Sequence, residues 1–318
     1  MGLKIISPGV LTTVQDSGRL GHQAAGFSVS GAMDTDALAM ANILVNNPAD
    51  CACLEMVFQG ACVQFDRKTY FALTGADFSP TLNGNPIPMY QAIEVKAGDT
   101  LRCGIAANGK YGYLAIAGGI DVPVVMGSRS TNLKCKLGGH QGRKLAAGDE
   151  LPLNVTGEFL FNHYRKHWQH IPYSNTVTLR VVPGPQEHAF TRSGLQTFTS
   201  SIYTLLPESD RMGSRLSGPA IEAKAGVDII SDAIAFGSVQ IPASGTPIIM
   251  LADRQTTGGY AKIGTVISAD LPKLVQCTAG AEIRFSFVTV EDANKLYVQH
   301  QKELRRFARK TGYHPKYW

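Results

Sequence analysis

Three stretches of the 318-residue chain crowd charged and amide side chains among glycines. The first is Val14-Gln15-Asp16-Ser17-Gly18-Arg19-Leu20-Gly21, continued by Gly26-Phe27-Ser28-Val29-Ser30-Gly31-Ala32-Met33-Asp34. The second is Glu208-Ser209-Asp210-Arg211-Met212-Gly213-Ser214-Arg215-Leu216-Ser217-Gly218-Pro219. The third is Leu251-Ala252-Asp253-Arg254-Gln255-Thr256-Thr257-Gly258-Gly259-Tyr260. In the third, the apolar run Pro247-Ile248-Ile249-Met250 delivers Asp253, Arg254, Gln255 and Thr256 to a strand end, and Gly258 and Gly259 let the backbone turn or approach a ligand. An Asp beside an Arg can form a charge-assisted pair, and Gln and Thr offer donors and acceptors to an amide or a carboxylate. Each stretch alone reads equally well as a turn rich in capping residues. Three in one chain favour a binding site at an inter-domain cleft.

Other chemistries find less support. No Gly-x4-Gly-Lys-Ser/Thr loop or Gly-x-Ser-x-Gly elbow occurs. Gly138-Gly139-His140-Gln141-Gly142-Arg143-Lys144 has the composition of an anion-binding turn, but a plain loop is the simpler reading. His163, His167 and His170 fall on one helical face without a carboxylate partner, so no metal site is expected. The six cysteines show no CxxC or zinc spacing and read as reduced, packed thiols. The last 17 residues hold six Lys or Arg and one acid, leaving the rest of the chain charge-balanced, which argues against nucleic acid as a partner. With no apolar run of about 20 residues and no leader-like N-terminus, neither a membrane nor export is expected, and the location predicted is cytoplasmic.

The elements that must position these residues are mostly short strands. Gly and Pro recur every few residues, which suits tight turns. One turn-to-strand pattern occurs three times, at Ala97-Gly98-Asp99-Thr100-Leu101, Ala147-Gly148-Asp149-Glu150-Leu151 and Ala279-Gly280-Ala281-Glu282-Ile283. The predicted class is mainly β with a few helices (α+β). Helices are expected near 35–45, where Asp34-Thr35-Asp36 starts and Pro48 stops an Ala/Leu/Met run, over 290–310, and more weakly over 159–170. The predicted domains are 1–170, 171–289 and a basic tail 290–318.

Further motifs lie along the chain: Thr12-Thr13-Val14-Gln15-Asp16-Ser17-Gly18-Arg19, Ser30-Gly31-Ala32-Met33-Asp34, Ala72-Leu73-Thr74-Gly75-Ala76-Asp77, Met126-Gly127-Ser128-Arg129-Ser130-Thr131, Ser209-Asp210-Arg211-Met212-Gly213 and Asp253-Arg254-Gln255-Thr256-Thr257-Gly258-Gly259-Tyr260. With Gly112-Tyr113-Leu114-Ala115-Ile116-Ala117-Gly118-Gly119-Ile120, they resemble, in order, the KipA / allophanate hydrolase subunit 2 family, over about 3–287. The resemblance implies cyclophilin-like β-barrel domains, and a part in ATP-dependent opening of the 5-oxoproline lactam to glutamate. It also implies two partner proteins, one KipI-like and one LamB/YcsF-like, with ATP and Mg used by the complex rather than held by this chain alone. Asp253, Arg254, Gln255 and Thr256 are the expected catalytic residues. Asp16, Arg19, Ser30, Asp34, Arg211, Gly258, Gly259 and Tyr260 are expected to bind substrate. Two other roles stay open: a component of a biotin-dependent carboxyltransferase, and a KipA-like regulator that binds a KipI-like kinase inhibitor.

Overall fold

The computed structural model describes residues 2–154, 167–168 and 172–312. The weaker helix candidate over 159–170 and the aromatic end of the tail therefore lie largely outside the described residues, as do His163 and His170. The chain forms two compact units. Met1–Leu20, Ser30–Pro172 and Lys302–Trp318 make the first; Gly21–Val29 and Tyr173–Gln301 make the second. This differs from a simple division at residue 170 with a separate tail, because membership follows packing and not chain order.

The first unit contributes β1 (Gly2–Ser7), β2 (Leu11–Gln15), α1 (Thr35–Leu44), β3 (Cys53–Val57), β4 (Cys62–Phe65), β5 (Thr69–Asp77), β6 (Thr81–Leu82), β7 (Asn85–Pro86), β8 (Ile93–Val95), β9 (Thr100–Arg102), β10 (Asn108–Ile116) and β11 (Glu150–Pro152). They form two sheets, ordered β11-β1-β4-β9-β6-β7 and β2-β3-β10-β5-β8. Leu3, Ile5 and Phe65 from one sheet and Leu54, Phe71 and Leu114 from the other share a single apolar core. Asp34 starts α1 as its N-cap, accepting from the Ala37 N–H at 2.9 Å.

The second unit contributes β12 (Thr176–Pro183), α2 (Arg192–Ser200), β13 (Tyr203–Leu205), β14 (Gly213–Ser217), β15 (Asp228–Ala233), β16 (Ser238–Gln240), β17 (Ile248–Met250), β18 (Thr257–Tyr260), β19 (Lys262–Val266), α3 (Leu271–Val275) and β20 (Glu282–Phe287). Among the described residues, β12-β19-β16-β17-β14-β13-β20 close into a barrel. Closure comes from the parallel pairing of β12 with β20, Thr176 opposite Glu282 through Val181 opposite Phe287. Leu179, Val239, Ile249, Ile263 and Ile283 are wholly buried, and α2 stacks Phe198 on Phe285 at 4.3 Å. β15 and β18 form a separate two-stranded ribbon. The chain is thus mainly β, with its closed barrel in the second unit. The helix predicted over 290–310 is α4 (Val290–Lys310), which buries Leu304, Phe307 and Ala308. No described helix is long and apolar enough to cross a membrane.

The thrice-repeated pattern has a structural cause. Gly98, Gly148 and Gly280 sit at φ +91°, +89° and +88°, a region that penalises any side chain. Their N–H groups donate to Phe65 O, Ile5 O and Leu205 O, so each turn ties the coming strand to a neighbour. In the first two, the Asp that follows closes the turn by accepting the Lys96 or Ala146 N–H at 2.7 Å.

Asp149 also receives a fork from Arg143, at 2.7 and 2.8 Å. That fork, with the Ala146 N–H, holds its carboxyl at about 2, below the ordinary 3.8. A carboxyl lowered on folding stabilises the native state above its unfolded pKa and loses that contribution as pH falls through the folded value. Asp149→Asn is therefore expected to cost about 1–2 kcal/mol at neutral pH. In urea unfolding at stepped pH, the difference from the parent should shrink from the ordinary 3.8 down to about 2. A gap that persists undiminished through that window would contradict the assignment.

Candidate functional site

The strand-end segment of the second unit begins where β17 leaves the barrel. Leu251 N–H donates to Met212 O at 2.9 Å and Asp253 N–H to Arg211 O at 2.8 Å, so residues 251–253 run beside 211–212. This places two of the three polar stretches side by side. The Asp253 carboxylate then accepts both Nε (2.8 Å) and Nη2 (3.1 Å) of Arg211, with only 8% and 12% of the Arg and Asp side chains exposed. A fork of this geometry is the strong form of an ion pair.

The expected pairing of Asp253 with its neighbour Arg254 is not what forms. Arg254 turns inward and is 6% exposed. Its Nε donates to Ile234 O at 3.0 Å, its Nη1 to Leu251 O at 3.1 Å, and its guanidinium stands 5.6 Å from the Phe236 ring centre. Burial pulls its pKa down to about 10, which leaves it charged at neutral pH. The reason is local: a chain leaving a strand exposes carbonyls that need donors, and the long guanidinium reaches two of them. Arg254 thus braces the segment through Nε and Nη1, and the Asp253 pairing expected of it is made by Arg211. A second brace is Ser28, whose hydroxyl donates to Arg254 O at 2.8 Å.

Beyond the turn, Gln255 is exposed and Thr256 half-buried, with Thr256 O accepting the Ile234 N–H. Gly258 is buried for lack of room. A Cβ there would stand 2.6 Å from Ile234 Cδ1, 2.9 Å from Gln240 Nε2 and 3.3 Å from Gln255 Nε2. Gly259 and Tyr260 continue β18 along the ribbon, and the Tyr260 ring is exposed.

The remaining expected substrate residues belong to the first unit, where each is engaged internally. The Asp16 carboxylate accepts from Gly18 N (2.8 Å), Ser128 Oγ (2.7 Å), Ser130 Oγ and Arg129 N. Arg19, wholly buried, donates to Val125 O and Ser130 O. The Ser30 hydroxyl accepts from Asn132 at 3.0 Å. Asp34 caps α1 while its N–H donates to the Tyr113 hydroxyl, which donates in turn to Glu55. These four residues fasten loops to one another. The Gly138–Lys144 turn is similarly committed, with the Arg143 guanidinium on Asp149 and the Gly139, Gly142 and Arg143 N–H groups on backbone carbonyls.

All six cysteines are free, and burial pushes the Cys51 thiol up to about 11 and Cys103 to about 12, far from thiolate chemistry. One group escaped the sequence reading: buried Lys262, paired with Asp232 at 2.8 Å and flanked by Gln186 and Gln240. Its signal was a lone charge inside the strand pattern Ala261-Lys262-Ile263-Gly264-Thr265.

Comparison with known proteins sets this geometry in context. The family model for the carboxyltransferase domain, subdomain A and B, matches residues 25–287. The chain is 38% identical over 306 residues to the C subunit of the Escherichia coli 5-oxoprolinase, covering 96% of this chain and 97% of that protein. It is 38% identical over 297 residues to the C subunit of the Haemophilus influenzae 5-oxoprolinase, covering 93% and 94%. The crystal structure of the Kluyveromyces lactis urea amidolyase superposes with a TM-score of 0.88 at 29% identity, over 96% of this chain but only 20% of that longer one.

The brace reading of Arg254 has a measurable consequence. Arg254→Met, which takes the guanidinium from Ile234 O and leaves Leu251 O with only the backbone N–H of residue 254, is expected to cost about 1–3 kcal/mol in denaturant unfolding. Gln255→Ala, at an exposed position, should stay within about 0.5 kcal/mol of the parent. Equal small effects would show that the inward guanidinium contributes nothing to the fold.

Proposed function

The chain belongs to the carboxyltransferase domain family, subdomains A and B, and from that premise we propose that it serves as the C subunit of an ATP-dependent 5-oxoprolinase, opening 5-oxo-L-proline to L-glutamate. The observation that carries this reading is the end-to-end match, 97% of the relative's length, with a protein of that name. In this reading the chain acts with a KipI-like protein and a LamB/YcsF-like protein in the cytoplasm, and the complex uses ATP and Mg.

The chemistry asked of such a site follows from the substrate. A five-membered lactam is resonance-stabilised and little strained, so its opening benefits from coupling to ATP, for instance by phosphorylation of the amide oxygen. The protein must then hold the amide, place a base or a carboxylate near it, and offset negative charge as the carbonyl carbon becomes tetrahedral. Gln255 has the matching pattern for a cyclic amide: its Nε2 donates to the lactam oxygen and its Oε1 accepts the lactam N–H. Asp253, aimed by the Arg211 fork, is the carboxylate of the site, serving as base toward the attacking water. Thr256 supplies a further hydroxyl. Arg211 and Arg254 act on the segment and not on the ligand.

A second reading is favoured by the urea amidolyase superposition: carboxyl transfer from carboxybiotin to a small amide. It predicts turnover only when a biotinylated carrier is supplied.

Reconstitution decides between them. The chain mixed with its KipI-like and LamB/YcsF-like partners is expected to release glutamate from 5-oxoproline with ATP and without biotin, and to do so only when this chain is present. Within that complex, Asp253→Asn should lower kcat by about 100-fold or more. Full activity in that variant removes Asp253 from the reaction, and dependence on a biotinylated carrier selects the second reading.

A further inference from the structure

The lactam substrate proposed above also carries an α-carboxylate, which calls for a cation. Two buried arginines of the second unit are already engaged, Arg211 with Asp253 and Arg254 with two backbone carbonyls. A third buried cation remains. Lys262 opens β19 directly opposite Gln240 of β16, and both residues are 3% exposed.

An ammonium has three N–H donors. Among the described residues, Lys262 Nζ has one acceptor, Asp232 Oδ2 at 2.8 Å. That acceptor comes from β15 of the ribbon, and half of its side chain is exposed. Gln186 accepts the Lys262 backbone N–H at 3.2 Å and directs its own amide toward Asp232 Oδ2 at 3.5 Å. Gln240 Nε2 makes only a long contact, 3.5 Å, to Tyr260 O. Two of the three Nζ donors of Lys262 therefore find no acceptor among the described residues. Buried donors left in surplus are costly, and a carboxylate with about four lone-pair sites is the group that satisfies them. The spot is also continuous with the strand-end segment, because the Gln240 and Gln255 amides both face the bare α-carbon of Gly258.

We propose that Lys262 and Gln240 form a carboxylate subsite, held in the ligand-free chain by the protein's own Asp232, whose carboxylate an incoming small carboxylate displaces. The identity of the ligand as 5-oxoproline rests on the function proposed above; the subsite itself rests on the donor surplus. With the lactam amide on Gln255, the α-carboxylate goes to Lys262, and the ribbon carrying Asp232 is released as the ligand enters. Specificity for a carboxylated lactam over a bare one then comes from Lys262, while Asp232 sets how tightly that ligand is held.

The test compares 5-oxo-L-proline, acetate and pyrrolidin-2-one, the lactam lacking a carboxylate, on the full chain and on the reconstituted complex. By titration with NMR detection of the lysine Nζ resonances, both carboxylates should shift Lys262 and pyrrolidin-2-one should not. Removing the internal competitor with Asp232→Ala should tighten both carboxylates about five- to tenfold and leave pyrrolidin-2-one unchanged. In the complex, Lys262→Gln should raise KM for 5-oxoproline about tenfold or more with kcat within about twofold. Should Lys262→Gln fail to fold, Asp232→Ala carries the decision alone. Carboxylate affinities that are the same in the parent and Asp232→Ala, or a Lys262 resonance blind to carboxylates, overturn the subsite. A complex that turns over no lactam overturns the function instead, while the acetate titration still judges the subsite.

Discussion

The fork between Arg211 and Asp253 is the interaction on which the second unit's polar edge depends. It joins residues 42 positions apart in sequence, and neither charge has much water to fall back on. Breaking it by removing one partner strands the other in a poorly solvated place, a larger penalty than the pair's own attraction. Because Asp253 is pinned, the segment after it leaves the barrel in one direction. Arg254 then turns inward, Gln255 turns out, and the chain enters the ribbon through Gly258.

Three buried cations divide the work of that edge. Arg211 offers a planar fork and takes the carboxylate whose direction matters. Arg254 has five donors and places two of them on carbonyls freed where a strand ends. Lys262, a point charge on a flexible stem, sits beside an acid on a half-exposed ribbon, where an exchange of partners costs least. The first unit solves a related problem without a cation on the acid: Asp16 is held by two hydroxyls and two backbone N–H groups, so one short side chain fastens two loops. In both units the glycine-rich polar stretches are first of all devices that let irregular backbone satisfy its hydrogen bonds.

Much of the architecture was legible in the chain. Asp34 before an Ala/Leu/Met run with a Pro beyond it is a local signal, and it produced α1 with Asp34 as its cap. The repeated Gly turn is local too, since only glycine rests comfortably at φ near +90°, and all three copies open a strand. Lys262 is not legible in the sequence, because a single Lys in a strand pattern is ordinary and only the fold shows that it is buried. Asp253 pairs with Arg211 and not with Arg254 because adjacency in sequence says little about which way two neighbouring side chains point.

By itself, then, the sequence determined the mainly β class, the places where strands begin, the helices with clear caps, and the family whose motifs run through it in order. These are properties of short windows, governed by backbone sterics, capping and the alternation of apolar residues. Only the tertiary structure decided who partners whom: Arg211 with Asp253, Arg254 with two carbonyls, Asp232 with Lys262, Asp16 with a loop more than a hundred residues away. A charge chooses its partner by which groups burial leaves within about 3 Å of it, and that distance is set by strand register and barrel closure.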